Sequence, residues 1–319
     1  DVSYLNRKEK RIIYADNAAT TRLDQDAFEA MRPFLCDNFG NASQQYSFSR
    51  VPKNALKIAR ETIASCINAS PEEIFFTSGG TESDNWALKG ILKTNESQTV
   101  ITSQIEHHAI LHTCASIEQV GNKVIYLPVD RDGIVDTNTL QEVMVNKVAL
   151  VSVMYANNEI GSLEPIQELC NIAHRNGAKF HTDAVQAVGH VKIDVKEIGV
   201  DMMSASAHKF NGPKGIGFLY VKAGTALKPF ADGGAQEYGM RAGTENVAGI
   251  VAMSVALKKA CSHIDDRRKH LLKLEDVLLQ GLKKYNIDFV RNGSSNRVPG
   301  NISLSFKNAN GEMLLHRLD

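Results

Sequence analysis

Short apolar runs alternate with amphipathic stretches along most of the chain. Between the runs, apolar residues recur at helical spacing in Asp24–Leu35, Pro52–Ile67 and Pro165–Asn176. Strands that alternate with helices in this way are typical of an α/β fold built on a mostly parallel sheet. The runs that we predict to be strands are Ile12–Ala15, Ile74–Thr77, Val100–Thr102, Val124–Leu127, Val148–Met154, Lys179–Thr182, Met202–Ser204 and Gly217–Val221.

The pattern changes near the C-terminal end, which predicts a second, smaller α/β domain. Asn246–Tyr285 is helical in pattern with one break near Cys261–Asp265. A strand at Asn301–Phe306 and a helix at Gly311–Leu318 follow. The predicted domains are a large one at residues 13–245 and a small one at residues 1–12 and 246–319.

Charge balance and cysteine usage narrow the class of protein. Lysine and arginine together number 36, as do aspartate and glutamate, so no basic excess favours a nucleic acid or a membrane surface. The start of the chain lacks the apolar core of a signal peptide. The five scattered cysteines contain no CxxC pair and predict neither a disulfide framework nor a zinc site. They favour a reducing compartment, which we predict to be the cytoplasm. They are Cys36, Cys66, Cys114, Cys170 and Cys261.

One lysine is distinguished by the residues around it. Lys209 follows the small residues Ser204–Ala207 and precedes the glycine-rich loop Gly212–Gly215. Such a strand end and loop can hold an amine in a dry pocket, where lysine loses its proton and attacks a carbonyl carbon. The obvious carbonyl partner is pyridoxal 5'-phosphate (PLP). Taken alone, a loop lysine is more often a solvated surface residue.

Two further strand ends carry groups that suit this cofactor. One is followed by Gly80 and Thr81 at the start of a helical pattern, where free N–H groups favour a phosphate. The other ends at Asp183, whose carboxylate can keep a pyridine nitrogen protonated, and Gln186 can donate to the phenolic oxygen of the ring. The alternative for Gly80 and Thr81 is the start of an ordinary capped helix. The alternative for Asp183 is a solvated aspartate that caps a helix.

Histidine and asparagine follow two more predicted strands. The imidazole of His107 can stack on the cofactor ring and move protons, although the adjacent His108 fits as well and a lone histidine is more often structural. An amide in Asn157–Gly161 can hydrogen-bond a ring oxygen or a substrate carboxylate, or can simply form a turn. Because active groups gather at the carboxyl ends of parallel strands, we expect these residues to share one site.

With these motifs in this order, the chain resembles the cysteine desulfurases of the NifS/IscS type, within the class V aminotransferase-like PLP enzymes. The resemblance runs from Tyr14 to the last residue and implies the PLP-dependent transferase fold type I, with a large domain on a mostly parallel sheet and a smaller α/β domain. The matching segments are Tyr14–Thr21, Thr77–Asn85, Glu106–His107, Asn157–Gly161, Asp183–Gln186, His208–Lys209, Gly212–Gly215 and Gly239–Asn246.

The resemblance implies a role for each matching residue. Lys209 holds the cofactor as a Schiff base and moves protons on the substrate, while His107 stacks on the ring. Asp183 pairs with the pyridine nitrogen, Gln186 pairs with the phenolic oxygen, and Asn158 lies near the ring and the substrate. The residues implied to bind the phosphate are Gly80, Thr81, Ser206, His208 and, from the neighbouring subunit of a homodimer, Thr244.

The resemblance also implies a reaction. L-cysteine gives L-alanine, and its sulfur passes to an enzyme cysteine as a persulfide, for an acceptor such as an iron–sulfur scaffold or a thiolation protein. Two alternatives stay open from the residues alone. One is a related PLP enzyme, either a selenocysteine lyase or a class V aminotransferase, and the other is a non-catalytic homologue that scaffolds sulfur-transfer partners.

None of the five cysteines matches the family's sulfur-accepting position. In the family that cysteine, and an arginine for the substrate carboxylate, lie after the segment that matches Gly311–Asp319. We therefore expect a truncated chain that lacks part of the small domain, binds PLP and cannot complete sulfur transfer. We expect its own thiols to be packed in helices.

Overall fold

Strands and helices alternate along the chain in the computed structural model, which describes residues 13–144 and 147–319. The strands are β1 (Ile74–Thr77), β2 (Thr99–Ser103), β3 (Lys123–Leu127), β4 (Val148–Ser152), β5 (Lys179–Asp183), β6 (Met202–Ser206), β7 (Gly217–Val221), β8 (Phe289–Arg291) and β9 (Leu304–Phe306). The helices are α1 (Gln25–Met31), α2 (Pro33–Cys36), α3 (Arg50–Cys66), α4 (Gly80–Gly90), α5 (His108–Gln119), α6 (Thr137–Val143), α7 (Ile166–Arg175), α8 (Val195–Ile198), α9 (Val247–Ser262), α10 (Ile264–Lys284) and α11 (Gly311–Leu318).

The first seven strands form one sheet in the order β1–β7–β6–β5–β4–β2–β3. Neighbouring strands run parallel from β6 to β3, whereas β7 is antiparallel to both β1 and β6. The connection from β6 to β7, residues 207–216, is too short for the crossover that parallel strands need. This reversal places the loop that contains Lys209 at the carboxyl end of β6, and the predicted mostly parallel α/β fold is confirmed.

Both faces of the sheet are covered, which explains why most of its strands carry apolar residues on both faces. Val100 on β2 and Leu150 on β4 belong to an apolar cluster formed with α4 and α5. The next residues along the same strands, Ile101 and Val151, belong to the larger cluster that includes residues of α3, α7 and α9. Successive side chains of a strand point to opposite faces, so each strand supplies both clusters.

The predicted strands agree with the structure except at the first. Ile12 lies outside the described residues, and residues 13–15 form no strand. Ile13 is 82 % exposed, so this segment crosses the surface and its apolar side chain packs against no sheet neighbour. The sequence also failed to predict β8, because its three residues adjoin a polar, turn-rich stretch.

The C-terminal helices break where the sequence predicts, at His263 between α9 and α10. Helix α9 packs against α1 and α3, and its apolar residues join the larger core cluster. Strands β8 and β9 pair in a separate antiparallel sheet, and the predicted helix at Gly311–Leu318 is confirmed as α11. The boundary between two domains stays a prediction. In the described ranges, no helix by itself is long and apolar enough to span a membrane, and α9 with α10 meets that criterion only as a pair bent by 68°.

Candidate active site

A cavity of about 810 Å³ opens at the carboxyl ends of β4, β5 and β6 and at the start of α4. Its wall brings together side chains that lie far apart in the sequence, as the predicted sheet edge requires. Thr244 does not contribute to this wall within the chain. The predicted site residues that line the cavity are Gly80, Thr81, His107, Asn158, Asp183, Gln186, Ser206, His208 and Lys209.

The Lys209 amine is held by backbone carbonyl groups at the start of the chain. Its Nζ atom donates to the carbonyl oxygen of Ala18 and to that of Ala19, the latter at 2.9 Å. Burial lowers the pKa of Lys209, against the opposing charges of Asp183 and Asp16. A lowered pKa leaves more of the free amine, which is the nucleophilic form. The segment Tyr14–Thr21 matches the family in sequence, but the sequence did not predict that its backbone would hold Lys209.

The start of α4 forms an anion-binding corner. Gly79 has φ +148°, a conformation that favours glycine, and the helix then begins at Gly80 with its first N–H groups unpaired. A Cβ atom at Gly80 would lie 2.6 Å from Cγ2 of Val185, so glycine lets the helix approach β5 closely. Ser206 adds a hydroxyl group from the end of β6. Free N–H groups and the helix dipole suit a phosphate.

His208 borders the same corner. Its Nδ1 atom lies 3.1 Å from Oγ1 of Thr20, which can donate a hydrogen bond to it. Burial, followed by the charges of Lys209 and Lys214, lowers the pKa of His208. The neutral ring then carries its proton on Nε2, where it can donate to an anion.

Asp183 ends β5 as a buried carboxyl. Its Oδ1 atom accepts the Val185 N–H at 2.9 Å, and burial raises the pKa of Asp183 although His107 and Lys209 oppose that rise. The alternative of a solvated capping aspartate is excluded, because Asp183 is only 6 % exposed. Gln186 uses one amide N–H to donate to the Ala18 carbonyl at 3.0 Å, which leaves its second N–H for the cavity.

The structure separates the two adjacent histidines. His107 lines the cavity and caps α5, because its Nδ1 atom accepts the Ala109 N–H at 3.1 Å. A neutral His107 therefore carries its proton on Nε2. His108 instead stacks on His112, with ring centroids 5.1 Å apart.

The two adjacent asparagines also differ. Asn157 forms the turn, since its Oδ1 atom accepts the N–H groups of Glu159 at 2.9 Å and Ile160 at 3.1 Å. Asn158 lines the cavity, and its backbone carbonyl accepts from the side chain of Asn301 at 3.2 Å. The turn therefore orients Asn158 and ties the cavity wall to the C-terminal region.

Thr244 is exposed beside a second cavity of about 190 Å³. Two ion pairs fix its loop. Arg241 contacts Glu82 of α4 at 2.9 Å, and Arg60 of α3 contacts Glu237 at 2.6 Å. Glu237 has a left-handed φ of +43°, a strained conformation for a residue other than glycine. The ion pairs therefore hold this loop in a shape that it would not otherwise keep.

We expect Glu237→Ala to lower the free energy of unfolding by about 3–5 kcal/mol, because it leaves the largely buried Arg60 guanidinium without its ion-pair partner. The Glu237 carboxylate also accepts the Phe76 N–H at 2.8 Å, and that bond is lost too. Urea unfolding of the two proteins measures the difference. Glu142→Ala, on the exposed side of α6, is the matched control. A loss below about 1 kcal/mol would show that the pair does not hold the loop.

The cysteines lie outside the wall of the main cavity. Cys114 and Cys170 are packed in helices as predicted, and burial raises the pKa of each to about 12, so few thiolates form at neutral pH. Cys36 is exposed, so the prediction of a packed thiol is wrong there; α2 is a four-residue surface helix without a buried residue. Cys66 and Cys261 are half-buried.

The residues of the main cavity fit PLP on their chemistry alone. The corner at α4 suits a phosphate, the Lys209 amine suits an aldehyde, and the Asp183 carboxyl suits a protonated pyridine nitrogen. Of the residues that sequence reasoning missed, Asp16, Thr20, Glu82, Asp84 and Lys214 also line the cavity.

Known proteins are similar to this chain over nearly all of its length. IscS of Dictyoglomus turgidum, named a cysteine desulfurase, is 48 % identical over 313 residues, which cover 97 % of this chain and 79 % of that protein. The solved structure of a NifS-like protein has a TM-score of 0.92 and 37 % identity, covering 96 % of this chain and 85 % of its own. The solved structure of SspA in complex with cysteine has a TM-score of 0.87 and 33 % identity, and the match covers 97 % of this chain and 87 % of the SspA chain. The model of the aminotransferase class-V family matches residues 13–319, and the chain belongs to this family.

Proposed function

We propose that the chain is a PLP-dependent cysteine desulfurase, which converts L-cysteine to L-alanine and passes the sulfur to a thiol. One observation carries the proposal. Lys209, Asp183 and the start of α4 meet in a single cavity, in a chain 48 % identical to a protein named a cysteine desulfurase. The structural similarity to SspA, solved with cysteine, supports the substrate.

When bound, PLP supplies an electron sink conjugated to the amine of the substrate. Lys209 would hold the cofactor aldehyde and would carry the Cα proton of the substrate. Asp183 would keep the ring nitrogen protonated, and Gln186 would donate to the phenolic oxygen. His107 would stack on the ring, and Asn158 would contribute to the substrate side. Gly80, Thr81, Ser206 and His208 would hold the phosphate.

The overall reaction balances without an oxidant. The C–S bond of L-cysteine breaks, and an S–S bond forms to the sulfur of an acceptor thiolate. The electron pair of the broken bond stays with the carbon, which takes up a proton and becomes the methyl group of L-alanine. The acceptor leaves as a persulfide.

A second copy of the chain is part of the proposed enzyme. Thr244 lies outside the cavity of its own chain, where it can serve the phosphate site of a neighbour. Large apolar side chains near α2 and α3 support a homodimer, because Phe39 is 69 % exposed and Phe48 is 48 % exposed. Exposed apolar groups of this size, close together, mark protein interfaces.

Mixed dimers test the role of Thr244. We expect Thr244→Ala to weaken PLP binding about 10- to 100-fold, the cost of a hydrogen bond to a charged group. If Thr244 acts on the neighbour, a dimer of one Thr244→Ala chain and one Lys209→Ala chain contains one doubly defective site and one intact site. At a PLP concentration too low to load Thr244→Ala, neither variant is active alone. Activity should therefore reappear there when the two proteins are unfolded together and refolded as a mixture. Mixtures that stay as inactive as their components would place Thr244 in the site of its own chain.

The acceptor and the compartment complete the proposal. The persulfide goes to a protein such as an iron–sulfur scaffold, and the enzyme works in the cytoplasm. Five free cysteines without a disulfide among the described residues support a reducing compartment.

The proposed reaction is tested with PLP-loaded protein, L-cysteine and dithiothreitol. The added thiol takes the place of the family's sulfur-accepting cysteine, which none of the five cysteines of this sequence matches. We expect L-alanine and sulfide in equal amounts. Turnover of L-selenocysteine but not L-cysteine would replace the proposal with a selenocysteine lyase, and amino transfer to a keto acid would replace it with an aminotransferase. Failure to bind PLP would indicate a non-catalytic scaffold.

A further inference from the structure

Asp84 is a carboxyl group in the cavity wall that the steps above do not use. It lies on α4, on the helix that begins the phosphate corner, and only 1 % of its surface is exposed. Its Oδ1 atom has no hydrogen-bond partner among residues 13–144 and 147–319. Buried polar atoms without a partner are rare in folded proteins and need a chemical reason.

A buried hydrogen-bond chain leads to this carboxyl. Oγ of Ser152 on β4 lies 2.9 Å from Nδ1 of His181 on β5, and Nε2 of His181 lies 2.9 Å from Oγ of Ser204 on β6. The side chain of Ser204 in turn faces the Asp84 carboxyl, to which its hydroxyl can donate. Each hydroxyl has one proton, so when Ser204 donates to Asp84 it accepts from His181, and His181 accepts from Ser152. The chain thus runs in one direction and ends at Asp84.

Among the residues that the structure describes, the titratable groups that act on Asp84 are carboxyls and not cations. Asp183 and Glu106 are carboxyls, and burial raises the pKa of Glu106 to about 8. Nε2 of His181 lies 3.7 Å from Oδ1 of Asp84, but burial lowers the pKa of His181 to about 3, so that ring is neutral. Burial and the neighbouring carboxyls therefore raise the pKa of Asp84 well above its usual range.

Asp183 and Asp84 differ in the groups that surround their carboxyls. Asp183 accepts the Val185 N–H at 2.9 Å, and both Lys209 and His107 favour its charged form. Two nearby carboxyls in one buried site do not both ionise, and their surroundings decide which one keeps the proton. Here the Val185 N–H donor and the Lys209 amine stand on the side of Asp183.

We propose that Asp84 is a positioning residue that stays protonated, so that the negative charge available to the cofactor's ring nitrogen is localised on Asp183. The Ser152–His181–Ser204 chain holds the neutral carboxyl in place. A neutral partner leaves the Asp183 carboxylate free to pair with the ring nitrogen, instead of sharing a proton with a second carboxylate.

Infrared difference spectroscopy of the holoenzyme tests the proton directly. The spectrum of the unchanged protein minus that of Asp84→Asn should show, at neutral pH, the carbonyl stretch of a protonated carboxylic acid. Ser204→Ala provides a second measurement, since the band should persist but shift when one hydrogen bond to the carboxyl is lost. A carboxylate band in the first difference, or an unshifted band in the second, would overturn the proposal.

The pH dependence of stability gives an independent result. The unfolded chain releases the Asp84 proton above pH 4 and the folded chain keeps it, so folding takes up a proton that Asp84→Asn does not need. The quantity to follow is the unfolding equilibrium constant of the unchanged holoenzyme divided by that of the variant. This ratio should rise about tenfold between pH 5 and pH 6. A ratio that does not change with pH would mean that Asp84 is ionised in the fold.

The absorbance of bound PLP reports the effect on the ring. Because Asn is as neutral as a protonated Asp84, the pH midpoint of the cofactor absorbance in Asp84→Asn should stay within a small fraction of a pH unit of the original. Removal of a real negative charge this close to Asp183 would move the midpoint by about one pH unit or more. A shift of that size would contradict the proposal.

Discussion

Lys209→Ala is expected to lower kcat for L-cysteine on the order of 10⁴-fold, at the upper end of the range for loss of a general acid–base group. The variant loses both the amine that holds the cofactor and the group that moves the Cα proton. Its backbone should stay in place, because the loop around residue 209 is anchored by other bonds, such as the one from the Asn211 N–H to Thr21 Oγ1 at 2.8 Å. Alanine formation at saturating L-cysteine measures the effect.

A matched control separates this effect from a general loss of lysine charge. Lys89→Ala removes an exposed lysine from the last turn of α4, and kcat should stay within about twofold. A small external amine such as methylamine should restore part of the activity of Lys209→Ala, since it can carry the proton. If Lys209→Ala kept a tenth of the original kcat, another residue would have to be the catalytic amine.

Asp183→Asn is expected to reduce kcat about 10²- to 10³-fold, the range typical of removing one electrostatic contact to the reacting group. An amide has nearly the same shape as the carboxyl but no charge, so the ring nitrogen loses its proton and PLP becomes a weaker electron sink. The fold should tolerate the change, because the amide oxygen can still accept the Val185 N–H.

The measurement for Asp183→Asn combines turnover with PLP affinity. We expect a higher Kd for PLP together with the lower kcat, because the ion pair with the ring is lost in both. Asp37→Asn, at an exposed position after α2, is the control and should change neither. Unchanged turnover in Asp183→Asn would remove Asp183 from the site beneath the ring.

The sequence predicts the sheet well because most of its strands carry apolar residues on both buried faces. Predicted and observed bounds of β1 and β7 coincide, and the helix break at His263 falls inside the predicted stretch. The segment at residues 13–15 resembles a strand only in composition. The conformation of the residues that follow is set by tertiary contacts, among them those of the Ala18 and Ala19 carbonyl groups with Lys209.

The sequence predicts those residues of the candidate site that lie at or just after the end of a strand. Asp183 and Ser206 are the last residues of β5 and β6, and Lys209 follows three positions after β6 ends. Asp84 could not be predicted, because it lies in the second turn of α4 and only the packing of α4 against β5 and β6 brings it near Asp183. The choice between His107 and His108 likewise depended on side-chain direction, which spacing does not give.

The central claim is that this cavity holds PLP through Lys209, and reduction with borohydride followed by peptide mass mapping tests it most directly. Borohydride fixes the bond between the cofactor and its lysine, and the measurement does not depend on turnover. We predict a phosphopyridoxyl group on Lys209 and on no other lysine. A group on Lys214 or on any other lysine, or no modification of PLP-loaded protein, would contradict the account.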